Sequence, residues 1–145
     1  MDTEQLNKFM KFVPGFVGVY PRDRLPRGVR KRPFGMIANT HTSNGPGQHW
    51  VAFFVDEDGI GEYFDSFGLP PLHDEFNDFL FENAPNGHLY NNVTLQCTSC
   101  VTCGHYCILF LWTRLRGKSI IDFFNLFTNN PNTNDVLIRT YLNII

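Results

Sequence analysis

Residues 96–112 read QCTSCVTCGHYCILFLW. All four cysteines of the chain, Cys97, Cys100, Cys103 and Cys107, lie in this stretch. Their C-x2-C-x2-C-x3-C spacing is compatible with an iron–sulfur ligand run. The same residues also suit a single reactive thiol, because Cys103 precedes Gly104 and then an apolar, helix-like run. The two readings lead to different molecules: a metal-stapled module or an electron carrier on one side, a cysteine hydrolase on the other.

The ligand reading fits poorly. A ferredoxin-type run is normally followed by proline, whereas Ile108 follows Cys107 here. The last cysteine falls inside the apolar segment, where a cluster would displace core packing. A zinc site lacks the usual second, separated knuckle. The expectation is therefore no metal ligand set, with a metal- or Fe–S-binding cysteine-rich module kept as the non-enzyme alternative. The thiol reading has a physical basis. A sulfur at a helix N-terminus sees the positive end of the macrodipole, which favours its thiolate. The same terminus offers free N–H groups to an oxyanion. Thr102 is expected to cap that helix, and Gly104 to let backbone approach closely. Cys107 reads as a small buried hydrophobe, with Cys97 and Cys100 as loop thiols, a local metal site or a redox feature.

Outward from this segment, 145 residues suit a single domain, 1–145, large enough for a real core. Hydrophobic residues make up 43% and charged residues 18%, which excludes a disordered chain. No apolar run is long enough to span a bilayer, so no membrane role is expected. The N-terminus has no secretory h-region, so the expectation is an intracellular, reducing setting. The net charge of −2 gives no global pull towards nucleic acid, and nothing argues for an obligate dimer, so a monomer is expected. The charge is uneven, however. Arg22, Arg24, Arg27, Arg30, Lys31 and Arg32 are half of the twelve Lys and Arg.

Periodicity predicts a short amphipathic helix over 2–12, with Leu6, Phe9, Met10 and Phe12 on one side. Strands are expected over 16–20, 34–39, 49–55, 60–64 and 89–95, and a basic, proline-punctuated loop over 21–33. Helices are expected over 72–82, 103–116, 120–127 and 135–144. The fold class is α+β, a small mixed or antiparallel sheet packed against helices. A turn at 56–59 would set Val55 opposite Ile60 and Trp50 opposite Asp65. His49 and Asp65 then share the open end of adjacent strands, where a carboxylate can hold an imidazole's tautomer. Alone, such a pair is most often a surface ion pair.

The ordered set His49-Trp50, Asp65 within Tyr63 to Gly68, Gln96, and Cys103-Gly104 resembles the adenovirus-type protease family, adenain and its relatives, a clan shared with ubiquitin-like-modifier proteases. The resemblance covers roughly residues 16–112, and Gln96 lies seven residues before the cysteine, as in adenain. It implies the adenain-like fold with the nucleophile at a helix N-terminus. It implies Cys103 as nucleophile, His49 as general base and acid, Asp65 as its orienter and Gln96 as oxyanion donor. Trp50 and Gly104 would border the oxyanion hole and substrate groove. It further implies an endopeptidase that needs no cofactor and cleaves capsid or core precursors at Gly-containing sites, in a virion or infected cell. The alternative is deconjugation of ubiquitin-like modifiers. The resemblance also implies activation by a peptide or by DNA, as in adenain. No cysteine precedes Cys97, so disulfide-linked peptide activation has no upstream partner here. DNA would meet the 22–32 loop at Arg27, Arg30, Lys31 and Arg32.

Overall fold

The structure, a computed structural model, describes residues 1–144. Its framework is a five-stranded sheet in sequence order: β1 (Phe16–Pro21), β2 (Phe34–Asn39), β3 (Trp50–Val55), β4 (Gly61–Phe64) and β5 (His88–Tyr90). The outer pairs β1–β2 and β4–β5 are parallel, and the inner pairs are antiparallel. The sheet is thus mixed and packed against helices, as the α+β expectation required. The helices are α1 (Thr3–Met10), α2 (Asp74–Asn83), α3 (Cys103–Leu115), α4 (Ile120–Phe124) and α5 (Pro131–Ile144). Among the described residues no helix is long and apolar enough to cross a membrane.

Both faces of the central strands are covered, which is why β2 and β3 read as unbroken apolar runs. Ile37, Ala52, Phe54 and Phe64 face α1, α3, α4 and α5. Met36, Ala38, Val51, Phe53 and Val55 face the other way, against Phe76, Phe79 and Leu80 of α2. The period-2 alternation of a strand assigns neighbours to opposite cores. Helix α3 lies between the sheet and α5 and is buried on nearly all sides, from Tyr106 through Leu111. This is the condition under which a helix loses its polar stripe. Arg114 ties its far end to β4 by a bidentate pair with Glu62, at 3.0 and 2.6 Å.

Four local expectations are corrected. Helix α1 stops at Met10 and buries only Leu6 and Met10, while Phe9 and Phe12 are exposed. Its start is set by a capping box between Asp2 and Gln5. The β3–β4 register pairs Val55 with Gly61, not Ile60. Asp56 Oδ1 accepts from the N–H groups of Asp58 and Ile60, at 2.9 Å each, so Ile60 is drawn into the turn. Leu72 lies outside α2 and is exposed. The expected strand over 89–95 reduces to β5, and residues 91–102 run on as the loop that leads to α3.

Candidate active site

A cleft of about 710 Å³ runs between residues 39–50, the turn after β4 and the N-terminus of α3. His49, Trp50, Gln96 and Cys103 all line it. Cys103 is the first residue of α3. Thr102 does not cap that helix, which corrects the sequence expectation: its hydroxyl donates instead to Asp135 Oδ1 of α5, at 2.9 Å. The first-turn N–H groups are therefore not taken by a capping side chain. They remain available to a negative charge in the cleft.

His49 immediately precedes β3, and its Nε2 lies 2.8 Å from Asp65 Oδ1. Nδ1 is then the ring nitrogen left for the thiol. Both side chains are largely buried, 14% and 6% exposed, so water screens the pair little. Phe67 stacks on the imidazole, with centroids 4.8 Å apart and planes 20° apart. Its own N–H donates to Asp65 Oδ1 at 2.8 Å. Burial works against a charged imidazole, but the hydrogen bond to Asp65 and the adjacent Cys103 sulfur outweigh it and raise the His49 pKa to about 9. The sulfur behaves as the mirror image. Burial pushes the Cys103 thiol up, yet hydrogen bonding to His49 and backbone N–H groups hold it below its ordinary value. The two groups stabilise one another as imidazolium and thiolate.

Gln96 is 1% exposed, and both ends of its amide are held. Oε1 accepts from Ser66 Oγ at 2.6 Å, and Nε2 donates to the Cys100 carbonyl at 2.6 Å. The second Nε2 hydrogen is left over, on a residue that lines the cleft. Gly104 is needed for space and not for its backbone angles. A Cβ there would sit 3.2 Å from Leu6 Cδ2 and 3.3 Å from both Met1 Cβ and Trp50 Cδ1. Trp50 is itself fixed by donating Nε1–H to the Met1 carbonyl at 2.8 Å.

Several supporting residues carry no motif signal. Asn91 clamps the Asp65 backbone from both sides, accepting from its N–H at 3.0 Å and donating to its carbonyl at 2.7 Å. Asn39 Oδ1 accepts from the N–H groups of His41 and Gln48, at 2.8 and 3.1 Å, and shapes the cleft rim. Ser66 follows Asp65 directly, a position from which a hydroxyl can reach back to a loop. Only that adjacency marked it in the sequence.

The remaining thiols divide. Cys107 is fully buried, and burial pushes its thiol well up. Cys97 and Cys100 are joined in a disulfide. This departs from the expectation of reduced thiols throughout. His105, half-buried beside Arg139, is pushed down to about 4 by burial first and by that charge second. In the basic loop Arg22 pairs with Glu75 of α2 at 3.2 Å. Arg27, Arg30, Lys31 and Arg32 are exposed and do not line the main cleft.

The chain is similar to a cysteine protease of African swine fever virus, 34% identical over 125 residues, which are 77% of this chain and 45% of that protein. A shorter stretch of 49 residues is 51% identical to a SUMO-1 cysteine protease from another isolate of that virus, covering 30% of this chain and 18% of the relative. The crystal structure of the virus's pS273R protease superposes with a TM-score of 0.57 at 28% identity, over 74% of this chain and 41% of that one. The chain thus spans less than half the length of these viral proteases. No protein-family model matches it. The likeness is to viral cysteine proteases, and it carries the same small mixed sheet packed against helices.

Proposed function

We propose that the chain is the catalytic core of a cysteine protease of the pS273R type, hydrolysing the amide bond after a glycine-ended tail by acyl transfer. The observation that carries the reading is the buried His49–Asp65 pair at 2.8 Å, beside a helix-terminal thiol held below its ordinary pKa. Cys103 as thiolate attacks the scissile carbonyl carbon and the carbonyl oxygen takes the negative charge. The Gln96 amide and the Cys103 N–H meet that charge. His49 gives its proton to the leaving amine as the C–N bond breaks, leaving a thioester on Cys103. A water then attacks the thioester, losing its proton to His49, and the thiolate is released. Asp65 keeps the imidazole in one tautomer and supports its charged form.

Two substrates share this chemistry. The name of one relative, a SUMO-1 cysteine protease, supports a ubiquitin-like modifier with an exposed Gly-Gly tail. The second reading is cleavage of viral precursor proteins at Gly-containing sites, favoured by the viral source of the relatives. In either case a reducing compartment suits a free Cys103 thiolate. A panel of SUMO-type and ubiquitin-type fusions beside Gly-containing peptides tests both, with Cys103→Ala as the blank. Cleavage of the SUMO-type fusion at the highest kcat/KM supports the first reading, and preference for short Gly-containing peptides supports the second. Hydrolysis of neither, by protein whose Cys103 alkylates readily at neutral pH, refutes the protease reading. DNA stimulation through Arg27, Arg30, Lys31 and Arg32 is a separate proposal. It requires salt-sensitive DNA binding that is lost when Arg30, Lys31 and Arg32 are changed to Glu, and it fails if no binding is measurable at low salt.

A further inference from the structure

We propose that Cys97, Cys100 and Asp135 form a zinc site, loaded when the two sulfurs are reduced, that fastens the loop before Cys103 to α5. Four observations converge on it. The two sulfurs and an Asp135 carboxylate oxygen all lie within 4.8 Å of one another, the one such group among the described residues. Asp135 is 7% exposed, and its Oδ1 accepts from two hydroxyls, Thr102 at 2.9 Å and Tyr106 at 2.8 Å. Its Oδ2 is buried with no partner. Leaving a buried carboxylate oxygen bare is costly, and a cation facing it removes that cost. The C-x2-C spacing supplies two thiolates from one turn, and thiolates with a carboxylate suit Zn²⁺ among the common divalent ions.

The surroundings fit a ligand and not a stray acid. Thr102 and Tyr106 are fully buried, and their hydroxyls turn the carboxylate so that Oδ1 is engaged. Metal-ligating carboxylates are held by outer hydrogen bonds of this kind. Three protein ligands leave a fourth position to water. In the structure the sulfurs are joined, which is the oxidised form. A dithiol reductant breaks that bond: its two thiols become a disulfide, and Cys97 and Cys100 become thiols. Zn²⁺ then binds both as thiolates and two protons leave to solvent. The consequence for the cleft follows from one contact. The Cys100 carbonyl accepts from Gln96 Nε2 at 2.6 Å, so a metal on Cys100 also steadies the Gln96 amide. That consequence rests on the proposed role of Gln96; the metal site does not.

The test uses the full chain with Cys103→Ala, which keeps the reactive thiol out of the measurement. The protein is reduced with a phosphine, given Zn²⁺, cleared of free metal and analysed for zinc per chain. A competing chromogenic chelator then gives the affinity. One zinc per chain is expected in the reduced form and none in the oxidised form, with a rise in Tm on loading. Cys97→Ser with Cys100→Ser should abolish binding, and Asp135→Asn should weaken it by about tenfold or more. The serine pair lies in a loop, so its folding, checked by circular dichroism, keeps the test valid if Asp135→Asn unfolds. Substoichiometric zinc in reduced protein overturns the proposal and leaves a plain thiol–disulfide element. So does zinc retained undiminished by the serine pair.

Discussion

Replacing Asp65 with asparagine keeps the shape of the pair and removes its charge. The amide oxygen would still accept from His49 and from the Phe67 N–H, so the fold around it should persist. What changes is the support for the imidazolium. Raising the His49 pKa from 6.5 to about 9 corresponds to about 3 kcal/mol in favour of the charged ring. The hydrogen bond to Asp65 is the largest favourable cause, followed by the hydrogen bond to Cys103 and then by the charges of Asp65 and Cys103. Because both side chains are largely buried, most of this energy survives solvent screening. A loss of about 2–3 kcal/mol predicts a fall of roughly 30- to 160-fold in kcat/KM at neutral pH. The same change should shift the pH profile of Cys103 alkylation upwards, because the thiolate loses its charged neighbour. Stability gives an independent reading. A group whose folded pKa is raised contributes fully below its unfolded value, and the contribution is lost as pH rises through the folded value. For His49 that window runs from about 6.5 to about 9. The stability gap between wild type and Asp65→Asn should therefore be widest below it and close above it. An unchanged alkylation profile, with a loss of activity under about threefold, would refute the electrostatic role.

Cys103→Ala should abolish peptide hydrolysis, whereas Cys107→Ala should cost about 1 kcal/mol in denaturant melts and leave activity near wild type. The opposite outcome would move the nucleophile. Gln96→Ala should lower turnover by about a hundredfold while alkylation of Cys103 stays unchanged, which separates oxyanion support from thiol activation. Ser66→Ala should give a weaker version of the same phenotype, because Oε1 of the amide loses its donor. Gly104→Val places side-chain atoms against Leu6, Met1 and Trp50, and thermal melts should show a loss of about 1–3 kcal/mol.

Strand β2 was legible to the residue, from Phe34 to Asn39, because an unbroken apolar run between a proline and a turn cluster is a local signal. The start of α3 at Cys103 was equally legible, since a thiol, a glycine and an apolar run meet there. The nearness of His49 and Asp65 was also foreseeable, though by a register that is off by one. The error arose because Asp56 captures the Ile60 N–H, a side-chain choice that strand periodicity does not encode. The limits of α1 escape periodicity for a similar reason: Phe9 and Phe12 are apolar, but they lie outside both cores, 41% and 86% exposed.

The sequence by itself therefore determined the order of elements, the α+β class and the residues with chemistry to offer. These follow from propensity and period, which act over a few neighbouring residues. Only the tertiary structure decided what each polar side chain meets. Thr102 turned from a helix cap into a donor to Asp135, 33 residues on. Ser66 became the partner of Gln96 across 30 residues, and Asn91 the clamp on Asp65 across 26. Cys97 and Cys100 became a pair beside a carboxylate of the last helix. Such contacts form only once loops close and α3 is buried between the sheet and α5. Burial then makes pairing favourable for the polar atoms trapped there, wherever in the chain the partner lies, and leaves Asp135 Oδ2 as an exception.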